Sequence, residues 1–342
     1  MLANVSTHND IRAWAPSTTL LLESDGSAIE YVWSDAARLA VQVALVTGRA
    51  LLLRGESGIG KTSLAEASAA ELGWRYYRHT TTSRTEASDT LWHLDAVRRL
   101  GDAQVGATAL KPDAAYVEPR EFWWAFDRRS ALRRGALPDE ADVGDAVEPN
   151  SQINLHRSAD HAVVLVDEID KADPSVANDM LELLSERRFR VENVTPVKLI
   201  KWSAPINSLP PLLILTTNEE RDLPEAFLRR CIVHTMTWPG ERAIDEQQRS
   251  NERTFLFKVV EKHWMSLGGE WDKAAGDIVN LLITRIEDER RAASERGQRK
   301  PGLAELIDAV RAVRRFGISQ TDALWGDVLR LVWRKTPDSN EV

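Results

Sequence analysis

The sequence predicts an α/β protein: a mostly parallel sheet flanked by helices, joined to a C-terminal all-helical domain. Short apolar runs ending in glycine, acidic or amide residues alternate with helix-period segments through most of the chain. From about Glu241 onward only helical patterns remain, at 251–264, 275–291, 303–316 and 323–335. Composition switches between the two styles at Trp238-Pro239-Gly240. The expected organisation is a loose N-terminal arm at 1–30, an α/β domain at 31–238 and a helical lid at 239–342, without internal repeats.

Within the α/β part, 33–46 has helical spacing with Ser34 as N-cap. Ala50-Leu51-Leu52-Leu53 is a short buried strand that runs into a glycine loop, and the helix after the loop stops at Gly73. A second strand, rich in aromatics and threonine, is expected at 74–82. A helix over 88–100 should follow, capped by Ser88. Residues 101–118 look like an insertion or loop, 118–135 resume a helix, and the acidic, turn-rich 136–160 suggests a mobile surface loop. Strand, acidic turn and helix follow from His161. A hairpin is expected at 189–201, then a strand, a polar turn and a short helix over 211–230, and a last strand from Cys231.

The 342 residues allow two domains, and 43% hydrophobic with 28% charged residues is an ordinary globular balance. No apolar run is long enough to span a membrane, and 1–26 lack a basic region followed by an apolar one; a cytoplasmic protein is the expectation. Cys231 is the only cysteine, so neither an intrachain disulfide nor a cysteine zinc cluster is possible. A net charge of −8 argues against a dedicated duplex-DNA binder. Most of the twelve tryptophans should pack in cores, the Trp123-Trp124 pair included.

Gly55-Glu56-Ser57-Gly58-Ile59-Gly60-Lys61-Thr62 fits G-x-x-x-x-G-K-[ST] in full, with Ser63 following in the helix. Glycines let backbone N–H groups curl around phosphates, and the next helix turns its positive end toward them. In such a loop Lys61 reaches the β- and γ-phosphates and the Thr62 hydroxyl ligates Mg2+. The run 163–166 then ends in Asp167-Glu168, at the strand edge where ligands of open α/β sheets sit. Asp167 there would hold magnesium and Glu168 would polarise an attacking water; a solvated acidic strand end is the plainer alternative. Asp170 and Lys171 read as flanking the next helix. The strand 213–217 ends at Asn218, which faces the γ-phosphate or the water if this strand lies between the first two, and otherwise closes an Asx turn. The helix 223–230 ends in Arg229-Arg230. A guanidinium supplied in trans spreads charge over a transferring phosphoryl group, although basic residues also simply satisfy a helix C-terminus.

These four elements, in this order, resemble those of an AAA+ ATPase. The resemblance matches Lys61 to the Walker A lysine, Asp167-Glu168 to the Walker B pair and Asn218 to sensor 1. The arginine finger falls on Arg230 or Arg229, Arg230 being preferred. Within AAA+, the chain is most similar to the MoxR family, over about 30–335. The segments that carry this are 223–230, 82–92, the hairpin 189–201 and the helix broken near 101–118. The resemblance implies ATP and Mg2+ as cofactors, a homo-oligomeric and hexameric ring, and chaperone-like remodelling of a protein partner, such as one with a von Willebrand factor A domain. The family places an arginine, sensor 2, at the start of a lid helix; here 298–305 offers Ala304, with Lys300 or Arg299 as substitutes. A nucleotide-dependent switch in a stress or defence system is an alternative function. So is a McrB-like or nucleic-acid-linked NTPase, although Asp170-Lys171-Ala172-Asp173 only imitates a guanine-binding N-K-x-D.

Overall fold

The computed structural model describes residues 7–22, 28–106, 110–137, 143–192, 194, 197–203 and 208–333. In chain order, α1 (His8–Ala13) leads into a hairpin of β1 (Thr18–Leu22) and β2 (Ala28–Val32). Then come α2 (Asp35–Thr47), β3 (Ala50–Arg54), α3 (Lys61–Leu72) and β4 (Arg75–Thr80). Next are β5 (Trp92–Leu94), α4 (Ala96–Val105), β6 (Val117–Pro119), α5 (Glu121–Phe126), α6 (Arg128–Leu132) and α7 (Ser151–Asn154). The chain continues with β7 (Ala162–Asp167), α8 (Pro174–Glu186), β8 (Arg188–Val191), β9 (Lys198–Lys201), β10 (Leu212–Thr217), α9 (Glu225–Leu228) and β11 (Cys231–Thr235). Four helices close it: α10 (Glu246–Ser266), α11 (Lys273–Glu295), α12 (Leu303–Phe316) and α13 (Trp325–Trp333).

Contacts divide the chain into two compact units. The first comprises Met1–Ala15, Asp35–Arg54 and Ser68–Thr235; the second comprises Pro16–Ser34, Gly55–Ala67 and Met236–Val342. The first unit holds a five-stranded parallel sheet in the order β11-β3-β10-β7-β4. All six residues of both β7 and β10 are buried, because helices cover both faces of a parallel sheet and leave no solvent side for polar alternation. β10 does lie between β3 and β7. The register sets Thr217 beside Arg54, Leu215 beside Val166, and Thr80 beside Asp167. The strands therefore deliver their polar C-terminal residues to one edge.

Local signals explain most boundaries. Asp173 accepts from Ser175 N at 2.9 Å and Pro174 opens α8, the favoured order for a helix start. α3 stops at Leu72, as expected, with Gly73 at φ +68°. β8 and β9 form the expected hairpin. Trp123 and Trp124 are fully buried in the core that this unit shares with Phe122, Phe126 and Phe189.

The structure departs from four expectations. The helix expected from Ser88 is instead a 3-10 turn at Ala87–Thr90, a strand at Trp92–Leu94 and a helix that starts only at Ala96. Trp92–Leu94 pair antiparallel with Val117–Pro119, far along the chain, and Asp95 caps the helix through Arg98 N at 2.9 Å. The supposed insertion at 101–118 thus contributes the end of α4 and one strand of this pair; residues 107–109 lie outside the described set. The N-terminal arm is structured where it is described, as α1 and the β1–β2 hairpin.

The acidic stretch 136–160 departs from its expectation only in part. Residues 138–142 lie outside the described set; most of the others are exposed, as a surface loop requires, but Ala146 and Asn154 are buried. Asn154 is wholly buried; its amide accepts from Tyr76 N at 2.8 Å and donates to Tyr76 O at 3.3 Å. It thereby covers the open edge of β4, where unpaired backbone groups would otherwise invite another strand. Glu148 takes Arg75 at 2.5 Å, Tyr77 Oη at 2.8 Å and Arg128 at 3.0 Å. Burial raises the Glu148 carboxyl pKa, but these hydrogen bonds and the Arg75 charge outweigh it and hold the group low.

In the second unit α10 to α13 enclose one apolar core that includes Val260, Leu282, Val310 and Trp333, and Ile59 from the glycine loop joins it. The β1–β2 hairpin rests on α10, with Glu30 3.0 Å from Lys262. Among the described residues no helix is long and apolar enough to cross a membrane.

Candidate active site

The edge of the parallel sheet gathers the two acids. Asp167 closes β7 and is 5% exposed. Its Oδ1 accepts from the Thr216 hydroxyl at 2.6 Å, and that hydroxyl accepts from Glu168 N at 2.8 Å. Thr216, one strand over, thus orients both acids at once. Asp167 Oδ2 accepts from Arg78 Nη2 at 2.8 Å. Glu168 sits at φ +59°, a left-handed conformation that costs a non-glycine residue about 1–2 kcal/mol. The turn swings its carboxylate to Asn218 Nδ2 at 3.0 Å and to Lys171 Nζ at 2.5 Å. The bond to Glu168 is the main reason the Lys171 ammonium is raised above its ordinary pKa.

Sequence reasoning undervalued two residues here. Asp170 and Lys171 do not serve α8, which Asp173 caps. Asp170 is 2% exposed and its Oδ2 accepts from Asn218 N at 3.1 Å and Glu220 N at 3.0 Å, fixing the loop that carries Asn218. Lys171 is three residues after Glu168, within the 3-10 turn Ile169–Lys171, where i and i+3 side chains eclipse. That spacing was the available signal.

The glycine loop belongs to the second unit. Gly55 has φ +142°, and a Cβ there would lie 2.2 Å from Met236 O, so no other residue fits. Gly60 has φ +98° and open space around the position of a Cβ. Lys61 is 6% exposed and donates to Gly55 O at 2.7 Å and Glu56 O at 2.9 Å. Thr62 and Ser63 are half-buried in the first turn of α3, while Glu56 and Ser57 are exposed.

The start of α12 contacts this loop: Ala304 N donates to Gly58 O at 3.0 Å. Lys300 bonds Glu241 at 2.6 Å and lies 3.9 Å from Glu56, while Arg299 bonds Glu305 at 2.9 Å. Arg290 was missed. Its side chain is 7% exposed, stacks 4.5 Å over Trp238, and bonds Glu56 at 3.0 Å and Glu241 at 3.2 Å. In sequence it is one charge in a mixed-sign helix run, which reads as a solvated face. Burial raises the Glu241 pKa, but Lys300 and Arg290 more than offset this and hold it low.

The two arginines after α9 form a group apart. Arg229 is 79% exposed in its side chain and pairs with Glu225 at 3.1 Å. Arg230 is tied to its own chain, through Ser185 Oγ at 2.8 Å and Ala226 O at 2.9 Å.

Residues 50–231, more than half of the chain, match the family described as AAA domain (dynein-related subfamily). The chain belongs to this AAA family. It is similar to solved structures of Thermotoga maritima RuvB. A proline-to-glycine variant is 14% identical at TM-score 0.39, covering 87% of this chain and 67% of that one. A threonine-to-valine variant is 13% identical at TM-score 0.37, covering 86% and 65%. The RuvB Holliday junction branch migration motor is 14% identical at TM-score 0.35, covering 81% and 66%. The chain thus spans about two thirds of the length of these structures. No curated protein matches the sequence.

An AAA domain implies a nucleotide with Mg2+, and the residues present fit both. The second unit holds a positive-φ glycine loop with a buried lysine ahead of a helix N-terminus, and the first unit, taken by itself, holds an oriented carboxylate pair. The oxygen donors of Thr62 and Asp167 suit a hard cation. Among the described residues no group of three or more His, Cys, Asp or Glu gathers as a metal cage.

Proposed function

We propose that the chain binds ATP with Mg2+ and hydrolyses it as a MoxR-like AAA+ ATPase, acting in a hexameric ring to remodel a protein partner. The observation that carries the catalytic part is the acid cluster, in which Thr216 of the neighbouring strand, Asn218 and Lys171 orient Asp167 and Glu168 at the end of β7. In this reading Lys61 moves from the loop carbonyls to the β- and γ-phosphates, and the N–H groups of 55–63 cradle the chain of phosphates. Thr62 and Asp167 would be the residues to hold Mg2+, and the ion would supply charge neutralisation for the phosphates. Glu168 accepts a proton from the attacking water while Asn218 fixes its carboxylate. Arg229, whose side chain is 79% exposed, is the better candidate for a finger reaching a neighbouring subunit, because Arg230 is bonded to Ser185 and Ala226 of its own chain and holds the helix end.

Lys61→Ala should lower ATP affinity at least 100-fold in calorimetry, because the phosphates lose their principal cation. Glu168→Gln should keep the affinity and stop turnover. Unaltered affinity in the first variant refutes the site. A Glu168→Gln protein that carries ATP yet binds no von Willebrand factor A domain refutes that choice of partner.

A second reading, a nucleotide-dependent switch, is favoured by one observation. Ala304 brings no charge to the lid start, and the nearby Lys300 and Arg299 are engaged by Glu241 and Glu305. Single-turnover hydrolysis separates the two: a rate unchanged by Glu168→Gln rejects the motor.

A further inference from the structure

Asp167 is held from two sides by unlike partners. The Thr216 hydroxyl on Oδ1 is itself 0% exposed, sits on a central strand, and is pinned by Glu168 N. Arg78 on Oδ2 comes from β4, at the edge of the same sheet. Thr80 is the register partner of Asp167, and Arg78, two residues earlier, projects from the same face of the strand as Thr80. Its long side chain therefore reaches along the strand to the acid. The two ends of this ion pair differ in freedom: the Asp167 side chain is 7% exposed and that of Arg78 is 44% exposed. The carboxylate is fixed by its neighbours, whereas the guanidinium has solvent to withdraw into.

We propose that Arg78 is a positioning residue that competes with the metal ion for Asp167, and thereby sets the metal concentration at which the site loads. This rests on the reading of Asp167 as a metal ligand. A divalent ion held by Asp167 would share that carboxylate with the Arg78 charge, which lies 2.8 Å from Oδ2, and the two like charges would repel. Arg78 also compensates the buried carboxylate, so that the strand end folds without needing metal first. The competition keeps Asp167 neutralised at low metal and shifts loading of the site to higher metal concentration. A purely structural ion pair predicts a loss of stability and nothing about metal; competition predicts that stability and metal affinity move in opposite directions.

The test uses the full chain with ADP bound and Mn2+ as probe, titrated by electron paramagnetic resonance. Arg78→Ala should bind Mn2+ about tenfold more tightly at low ionic strength, with the gain shrinking as salt screens the charge. Its thermal midpoint without divalent ions should fall, and Mn2+ should restore it. Arg78→Lys, which keeps the charge, should stay within about twofold of the parent. Should Arg78→Ala not fold, Arg78→Gln preserves a hydrogen bond without charge and should tighten Mn2+ in the same direction. Mn2+ affinity unchanged or weakened in the folded neutral variant overturns the proposal. Asp167→Asn separates the two layers. If it binds Mn2+ as the parent does, Asp167 is not a ligand and the underlying reading fails. If it loses Mn2+ while Arg78→Ala leaves affinity unchanged, only the competition fails.

Discussion

Glu168 shows how much of this site is decided residue by residue. Its left-handed backbone is unfavourable, yet two bonds from its carboxylate and one from its N–H hold it there. Lys171 supplies one of those bonds with a charge. It touches no reacting atom in the proposed chemistry, so its effect should run through the orientation of Glu168. Lys171→Ala is expected to lower kcat about tenfold with KM for ATP nearly unchanged, and Lys171→Arg to recover most of the rate. Steady-state kinetics check this; a rise in KM at unchanged kcat would show Lys171 binding nucleotide instead. The motif residues Lys61, Asp167 and Glu168 were legible because their chemistry demands those types at those spacings. Arg78, Thr216 and Arg290 were not, because their partners are distant in sequence: Arg78 and Asp167 meet only across two paired strands.

Among elements, α10 carries a buried histidine that makes the second unit sensitive to acid. His263 is 8% exposed; burial, aided by the nearby Arg311 charge, pushes its imidazole down to about 4. The folded state binds its proton less readily than the unfolded chain, whose histidine titrates near the ordinary 6.5. Stability therefore falls as pH drops from about 6.5 toward 4, by roughly 3 kcal/mol in total, and levels off below. Denaturant melts of the protein against pH should show this slope, and His263→Gln should flatten that part of the profile. A slope unaltered by the substitution assigns the acid sensitivity elsewhere. Element type was readable wherever a period ran long, as in α10 to α12, or where apolar runs were continuous, as in β7 and β10. It failed at 88–100, where a three-residue strand interrupts a helix-like pattern. It also failed at 146–154, where Asn154 turns inward to cover a strand edge and Glu148 bonds the Arg75 and Tyr77 side chains.

On the scale of the whole molecule, the two units divide the proposed chemistry: the acids and paired arginines in one, the glycine loop and Lys300 in the other. If the ring reading holds, Arg229 acts on a neighbour's nucleotide. Arg229→Ala and Glu168→Gln should each be inactive alone, while mixtures regain part of the turnover, because some interfaces then pair an intact finger with an intact base. Arg230→Ala should have the smaller effect of the two arginines. No recovery at any mixing ratio would reject a finger supplied in trans.

The α/β class, the phosphate loop and the acid pair could be read directly from the order of residues, since each depends on a short contiguous pattern whose geometry is local. The partners that tune them could not. Which strand lies beside which, which cation faces Asp167, and which arginine is tethered and which projects all follow from pairing between residues far apart in the chain. Folding sets those pairings by burying the strands' apolar faces together, and polar side chains at the strand ends meet as a consequence.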